Sequence, residues 1–172
     1  MQTPYGPNRL VWGLINFAVG IDGIEISEDQ KWLYLAPMTN SRLCRIPMAV
    51  VLNPSLSPDT FNQSVVNIGQ KPMSDGIAID REERVVITDV EHGGIMAFNP
   101  TTKQLSLLGR SKDIVWPDGV VVANDGDVYF TDSSIPSYID QLVRAPKDAK
   151  LRQHRPYFIY RLKKPGDTGS ET

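Results

Sequence analysis

Short stretches in which hydrophobic and polar residues alternate recur along this chain, and each opens with an Asp-Gly pair. The clearest copy begins at Asp75-Gly76, continues through Ile77-Ala78-Ile79 and an acidic turn, and ends in a second strand that closes with Thr88-Asp89. Alternation with a period of two is typical of a half-buried β-strand. Two such strands joined by a short polar turn predict a β-hairpin.

The pattern occurs three times. Another clear copy extends from Asp118 to Asp132, and a looser one begins at Asp22. In the two clear copies the Asp of Asp-Gly precedes the Asp of Thr-Asp by 14 positions, and the three Asp-Gly pairs are 53 and 43 residues apart. A repeat of about 40–50 residues is typical of one propeller blade. The sequence therefore predicts an all-β fold, a partial β-propeller of about three four-stranded blades.

The repeats also divide the chain. Around them we expect one short helix at Pro58, capped by Ser57 or Asp59. No segment with a helical period of any length competes with the strands. The predicted parts are an entry segment with a strand (1–19), three blades (about 20–70, 71–114 and 115–164) and a disordered tail without apolar residues to bury (165–172).

Three blades form an arc and not a ring, whereas a propeller protects its sheet edges by closing with about 4–8 blades. One explanation is that the chain is the C-terminal half of a longer protein whose N-terminal blades are missing. The other is that two copies pair to make six blades. The first is simpler, because nothing in the sequence marks a self-complementary edge. We expect little or no catalysis from this piece alone, since it supplies only half of a channel.

Composition limits the partners. The net charge of −2 at pH 7 implies no bulk attraction to nucleic acid or to an anionic membrane. Cys44 is the only cysteine, so no disulfide forms within the chain. No apolar run approaches the roughly 20 residues that a membrane helix needs. The apolar stretch after Arg9 is interrupted by Asn16 and carries no reliable export signal, so the compartment cannot be read from it.

Several segments resemble the major royal jelly protein/yellow family of six-bladed propellers. They occur in the family's order and cover most of residues 20–162: Gly20-Ile21-Asp22-Gly23-Ile24, Arg42-Leu43-Cys44-Arg45-Ile46-Pro47, Lys71-Pro72-Met73-Ser74-Asp75-Gly76, Thr88-Asp89-Val90-Glu91, Trp116-Pro117-Asp118-Gly119 and Arg155-Pro156-Tyr157-Phe158-Ile159-Tyr160-Arg161. The resemblance implies the C-terminal half of such a propeller. It also implies a secreted parent and a family that includes dopachrome-converting enzymes and binders of small aromatic amines.

The first strand of each blade lines the channel of a propeller, so Asp22, Asp75 and Asp118 are expected to converge at one mouth. Three carboxylates there repel, and at least one pKa rises unless a cation compensates. An amine or a divalent cation such as Ca²⁺ is the natural guest, although no cofactor is certain. Taken singly, each Asp is better explained by its turn, where the carboxylate accepts local backbone N–H groups; for the three together, the two explanations weigh equally.

Two further positions carry candidate chemistry. Glu91 and His92, at a Gly-rich corner, are candidates for acid–base catalysis, although such a pair in a loop is more often only solvated. Trp116 is a candidate for stacking on an aromatic ligand, with packing between blades as the alternative.

Three functions follow from these residues. The leading hypothesis is a channel that binds a small aromatic or amine ligand, with dopachrome-type isomerisation in the intact parent. The alternative is a metal-dependent lactonase of the gluconolactonase-like propeller type, in which Asp22 and Asp75 hold the metal. A structural or storage propeller without catalysis is the third. Nucleophilic catalysis finds no support, because no Gly-x-Ser-x-Gly motif occurs and Cys44 has no His near it in the sequence. No zinc-ligand spacing occurs either.

Overall fold

A computed structural model describes residues 10–12, 15–17, 19–135 and 158–164. Within them the regular secondary structure is almost all β, as the alternating pattern predicts. The strands are β1 (Leu10–Trp12), β2 (Ile15–Phe17), β3 (Ile21–Ile26), β4 (Trp32–Pro37), β5 (Arg42–Pro47), β6 (Val66–Gln70), β7 (Ile77–Ile79), β8 (Val85–Asp89), β9 (Gly94–Phe98), β10 (Leu105–Arg110), β11 (Pro117–Val122), β12 (Val128–Asp132) and β13 (Ile159–Leu162). Two short helices, α1 (Met48–Val51) and α2 (Pro58–Gln63), connect β5 to β6.

The strands pair with their sequence neighbours in antiparallel sheets. The first sheet has the order β3-β4-β5-β6, the second β7-β8-β9-β10 and the third β11-β12-β13, while β1 and β2 form a separate hairpin. The first strands of the three sheets, β3, β7 and β11, contact one another in that order. This is the arrangement of successive propeller blades around an axis, so the predicted partial propeller is confirmed.

Details differ from the sequence prediction. The third sheet has three strands among the described residues instead of four, and the entry segment contains a hairpin instead of one strand. Helix α1 was not predicted, and it is only one turn long. Helix α2 was predicted, and Ser57 caps it by accepting the Thr60 backbone N–H. The predicted tail at 165–172 lies outside the described residues.

Two of the three hydrophobic clusters in the described residues form layers, one between each pair of adjacent sheets, and the third surrounds Trp116. Between the first and second sheets, Tyr34 and Leu43 pack against Ile77, Ile87 and Phe98. The second layer, between the second and third sheets, is built in the same way from Ala78, Val86, Ile95, Val128 and Phe130. Each sheet thus contributes one row of alternating residues to each neighbour, as face-to-face sheets do.

The glycines of the first two Asp-Gly pairs, Gly23 and Gly76, allow the first strands to approach closely. A Cβ placed on Gly76 would lie 2.4 Å from the carbonyl oxygen of Asp118, and one on Gly23 would lie 3.1 Å from that of Asp75. These neighbours are backbone atoms of the next blade and cannot move aside easily. Glycine at these positions therefore brings the starts of β3, β7 and β11 side by side.

No helix in the described part of the chain is long and apolar enough to span a membrane.

Candidate functional site

Three acids stand at or beside the starts of the first strands, with Asp22 in β3, Asp118 in β11 and Asp75 just before β7. Burial raises the pKa of Asp75 to about 6, and the negative charges of Asp118 and Asp22 act in the same direction. Asp22 also lies close enough to form a side-chain hydrogen bond with Asp75. We call these three residues the acid mouth.

The indole of Trp116 fixes one side of the acid mouth. Its Nε1–H donates to Oδ2 of Asp75 at 2.8 Å, which opposes the rise in the pKa of that carboxyl group. Its ring is 3% exposed and packs with Met38, Met73 and Val90. The N–H group of Trp116 therefore faces the acid mouth, whereas its ring faces are taken up by packing between blades.

The threonine of Thr-Asp holds the Asp-Gly backbone in place. The Thr88 hydroxyl accepts hydrogen bonds from the N–H groups of Asp75 (3.1 Å) and Gly76 (3.0 Å) and donates to the Gly76 carbonyl at 3.2 Å. In the third blade, the Thr131 hydroxyl accepts the N–H of Gly119 at 3.1 Å. This contact accounts for the constant spacing between the two dipeptides in the sequence.

The aspartate of Thr-Asp organises the adjoining loop. In the third blade, Asp132 accepts the backbone N–H groups of Val115 (2.8 Å) and Trp116 (2.9 Å) as well as that of Ser134. Asp132 thus positions the tryptophan that anchors Asp75. The repeated Thr-Asp dipeptide was visible in the sequence, but its role as a support for the acid mouth was not.

Glu91 and His92 lie close in sequence but have different partners. Oε2 of Glu91 accepts the backbone N–H of Met73 at 3.0 Å. Nδ1 of His92 lies 3.0 Å from Oδ2 of Asp89, whose side chain is 8% exposed while that of His92 is 63% exposed. The pairing is therefore between His92 and Asp89, and a buried carboxylate orients an exposed imidazole.

Lys71 is a buried lysine that sequence reasoning did not single out. Its side chain is 2% exposed, and Nζ donates to the carbonyl of Pro72 at 3.0 Å. Burial lowers the pKa of its ammonium group to about 7, although nearby Glu91 and Cys44 act against that shift. In the sequence, Lys71 is indistinguishable from an ordinary surface lysine in a loop before Pro72.

The donor set of the acid mouth suits a hard cation only in part. Asp22 and Asp75 supply carboxylate oxygens, which Ca²⁺ prefers. However, in the portion of the chain that the structure describes, no three His, Cys, Asp or Glu residues are grouped closely enough to hold a metal ion. A metal at this place would need further donors from water or from other blades.

The chain is similar in sequence to two plant proteins. It is 31% identical over 125 residues to strictosidine synthase-like protein 6 of Arabidopsis thaliana, a match that covers 71% of this chain and 30% of that protein. It is 36% identical over 91 residues to strictosidine synthase-like protein 7 of the same species, covering 49% of this chain and 24% of the relative. The matched part is thus less than a third of either relative. No family model matches the sequence.

Solved structures with the same fold include several enzymes. A gluconolactonase from Xanthomonas campestris superposes with a TM-score of 0.58 at 20% identity, over 84% of this chain and 44% of that one. A putative gluconolactonase has a TM-score of 0.54 at 14% identity, over 92% and 50%. A luciferin-regenerating enzyme gives 0.53 at 18% identity, over 88% and 47%. Identities this low establish the fold alone.

These comparisons show that the assignment to the major royal jelly protein/yellow family was wrong. The sequence relatives are strictosidine synthase-like proteins, and the structural neighbours are gluconolactonase-type propellers. The physical reason lies in the motif. The Asp-Gly and Thr-Asp pairs serve contacts within and between blades, such as those of Thr88 with Gly76 and of Gly76 with Asp118. Any propeller built on these contacts carries similar pairs, so they identify the fold and not the family.

Proposed function

We propose that the chain is part of a metal-dependent lactonase whose reaction takes place at the acid mouth. The observation that carries the proposal is the convergence of Asp22 and Asp118 on Asp75, a carboxyl group whose pKa is raised to about 6 mainly by burial and further by the two neighbouring negative charges. Mutual repulsion of this kind is relieved by a bound cation. The likeness of the fold to a gluconolactonase and to a putative gluconolactonase supports lactones as the substrate class.

In this proposal Asp22 and Asp75 hold the cation through their carboxylate oxygens. Trp116 keeps Asp75 oriented through its hydrogen bond, and Asp118 adds negative charge beside them. A divalent cation bound there would polarise the lactone carbonyl as a Lewis acid. Because Ca²⁺ takes about 6–8 oxygen ligands, the two donors from this chain are one part of the site.

The pair formed by Asp89 and His92 is suited to proton transfer in the same reaction. β7 and β8 are antiparallel with Ile77 opposite Ile87, so Asp89 lies at the same end of the hairpin as Asp75. Asp89 occupies Nδ1 of His92, which leaves Nε2 on the exposed side of the ring. An imidazole held in this way accepts a proton from an attacking water molecule.

Cation binding and lactone hydrolysis test the proposal together. Thermal unfolding is measured with and without Ca²⁺ or Zn²⁺, and hydrolysis of a simple sugar lactone is followed by acid release. We expect the cation to raise the melting temperature, because a ligand bound only to the folded state stabilises it. The rise should be lost in Asp22→Asn and Asp75→Asn and retained in Asp59→Asn, which changes an exposed acid in α2.

The lactonase proposal and the alternative, amine binding at the acid mouth, predict different results. A melting temperature that does not respond to the cation refutes the lactonase proposal. Absence of hydrolysis refutes it only in a complete propeller that contains this chain, because we expect little or no catalysis from this piece alone. If an organic ammonium such as phenethylamine raises the melting temperature and the metals do not, the acid mouth binds amines instead. Dopachrome-type isomerisation is not carried forward, because the family resemblance that implied it has been overturned.

A further inference from the structure

A crevice of about 230 Å³ separates the first and second sheets at the end of the strands opposite the acid mouth. We call it the inter-blade crevice. Trp32, Tyr34 and Arg45 line it from the first sheet, and Glu83 and residues 99–101 line it from the second. Strand β3 starts at the acid mouth and covers six residues on its way to this end, roughly 20 Å at about 3.3 Å per residue. All lining residues fall within the continuous described stretch 19–135, so both walls belong to this chain.

Arg45 places a positive charge on the wall that belongs to the first sheet. The carbon of its guanidinium group lies 3.8 Å from the centre of the Trp32 ring, which is a cation–π contact. A guanidinium stacked in this way is held by its flat face, while the N–H groups around its edge can still donate hydrogen bonds. Nε is buried without a hydrogen-bond partner, and Arg45 forms no ion pair with another described residue. The described residues therefore leave part of the donor capacity of this cation unused.

Glu83 places a negative charge on the wall that belongs to the second sheet. It stands between β7 and β8, and its charge acts across the crevice on Lys31. The other acids at the rim are already paired, Asp29 with Lys31 at 2.9 Å and Glu82 with Arg84 at 3.5 Å. Glu83 forms no ion pair with another described residue. One cation and one anion thus stand on opposite walls without pairing with each other.

The equivalent place in the next pair of sheets shows that packing does not require these polar groups. In the first sheet Tyr34 pairs with Arg45, and in the second sheet the corresponding pair is Val86 with Ala97. Tyr34 and Val86 both pack toward the sheet that follows. Because small apolar side chains serve the same structural position, the arginine and the hydroxyl group at the first interface are features beyond the needs of the fold.

The second wall is held in shape before any ligand binds. Oδ1 of Asn99 accepts the backbone N–H groups of Thr101 at 2.9 Å and Thr102 at 3.0 Å, which fixes the turn between β9 and β10. On the other wall, Arg45 is held by its stacking on Trp32. A site whose walls are already ordered loses little conformational entropy when a ligand binds.

The two charges define the class of ligand. A carboxylate alone would be repelled by Glu83 and an ammonium alone by Arg45, whereas a molecule that carries both charges can pair with both walls. The volume exceeds the roughly 30 Å³ of a water molecule many times and is smaller than the roughly 300–1,000 Å³ of pockets for drug-sized ligands. We propose that the inter-blade crevice binds an α-amino acid with an uncharged side chain, its carboxylate on Arg45 and its ammonium group on Glu83.

Isothermal titration calorimetry with the full chain tests the proposal. The probes are L-alanine and L-leucine, each compared with two analogues that lack one charge: propionate and ethylamine for L-alanine, and 4-methylpentanoate and 3-methylbutylamine for L-leucine. We expect an amino acid to bind and both of its analogues to bind at least about 10-fold more weakly, because each loses one hydrogen-bonded ion pair. Neither amino acid binding, or an analogue binding as tightly as its amino acid, overturns the proposal.

Substitutions locate the site on the chain. Arg45→Gln and Glu83→Gln should each weaken binding about 10-fold or more, because each removes one of the two charges. Arg42→Gln is the matched control, since it changes an exposed arginine on the same strand outside the crevice, and it should leave binding unchanged. Urea midpoints check that the variants fold. Unchanged affinity in a folded Arg45→Gln or Glu83→Gln variant also overturns the proposal. The titrations contain EDTA and no lactone, so their outcome does not depend on the lactonase proposal.

Discussion

Replacing Gly76 with alanine tests how closely successive blades approach each other at the axis. The added Cβ would lie 2.4 Å from the carbonyl oxygen of Asp118 and 3.3 Å from the backbone nitrogen of Val120. Both atoms belong to the main chain of β11, which is held by its pairing with β12. The strain therefore cannot be relieved by turning a side chain, and β7 and β11 must separate.

The magnitude follows from two opposing effects. Overpacking a well-packed site costs about 1–3 kcal/mol. Alanine in place of glycine in a strand returns about 0.5–1 kcal/mol through reduced chain entropy. The difference is a loss of about 0–2.5 kcal/mol in the free energy of unfolding, and we expect Gly76→Ala in the upper part of that range because the 2.4 Å contact is with a backbone atom. At Gly119 the same change meets only the Thr131 hydroxyl at 3.5 Å, an ordinary contact, so Gly119→Ala should be neutral or slightly stabilising.

Urea denaturation followed by tryptophan fluorescence measures both variants under the same conditions. The expected result is a lower midpoint for Gly76→Ala, an unchanged or higher midpoint for Gly119→Ala, and similar slopes for both. Equal midpoints for the two variants would refute the close approach of β7 and β11. A loss of stability in Gly119→Ala but not in Gly76→Ala would also refute it, because the tight contact would then lie at Gly119 and not at Gly76.

Further substitutions test the hydrogen bonds that hold the Asp-Gly backbone and the effect of the buried Lys71 on stability. Thr88→Val removes the acceptor of the Asp75 and Gly76 N–H groups and should lower the free energy of unfolding by about 1–3 kcal/mol in the same urea titration. Thr131→Val removes the acceptor of one N–H group, that of Gly119, and should lower the free energy of unfolding by less. For Lys71, burial lowers the pKa from 10.5 to about 7, so wild-type stability should fall as the pH decreases between those values and level off below them. Lys71→Met should abolish that fall and be the more stable protein near pH 7, which urea midpoints at neutral and alkaline pH measure. A variant whose stability still falls with decreasing pH as the wild type does would contradict this.

Much of the fold could be predicted because the strands of the first and third sheets alternate between more buried and more exposed positions, and the Asp-Gly and Thr-Asp repeat marks the second sheet, where β8 is buried throughout. The helix at Pro58 was predictable as well, since Ser57 is a local cap. Helix α1 was not, because its four residues bury no side chain fully and leave no periodic pattern. The repeated Asp-Gly pairs predicted equivalent positions for the three acids, and each acid lies at or beside the start of the first strand of its sheet.

The supports of the site depend on contacts between distant residues and were not predictable. The hydrogen bond from Trp116 to Asp75 spans 41 positions and joins two blades. The partner of His92 is Asp89, but adjacency in the sequence suggested Glu91. Lys71 is buried although it stands outside the strands, and no local pattern in the sequence reports that burial. The assignment to the major royal jelly protein/yellow family was wrong for a related reason. It rested on the Asp-Gly and Thr-Asp pairs, and these pairs make contacts within and between blades.

The pKa of the Asp75 carboxyl group, followed by carbon NMR in a pH titration, tests the central claim that the first strands bring their acids to one mouth. We predict a value of about 6, well above the ordinary 3.8. We also predict a lower value in both Asp22→Asn and Asp118→Asn, because each removes a neighbouring negative charge. An Asp75 that titrates near 3.8, or whose pKa does not respond to either substitution, would contradict the account.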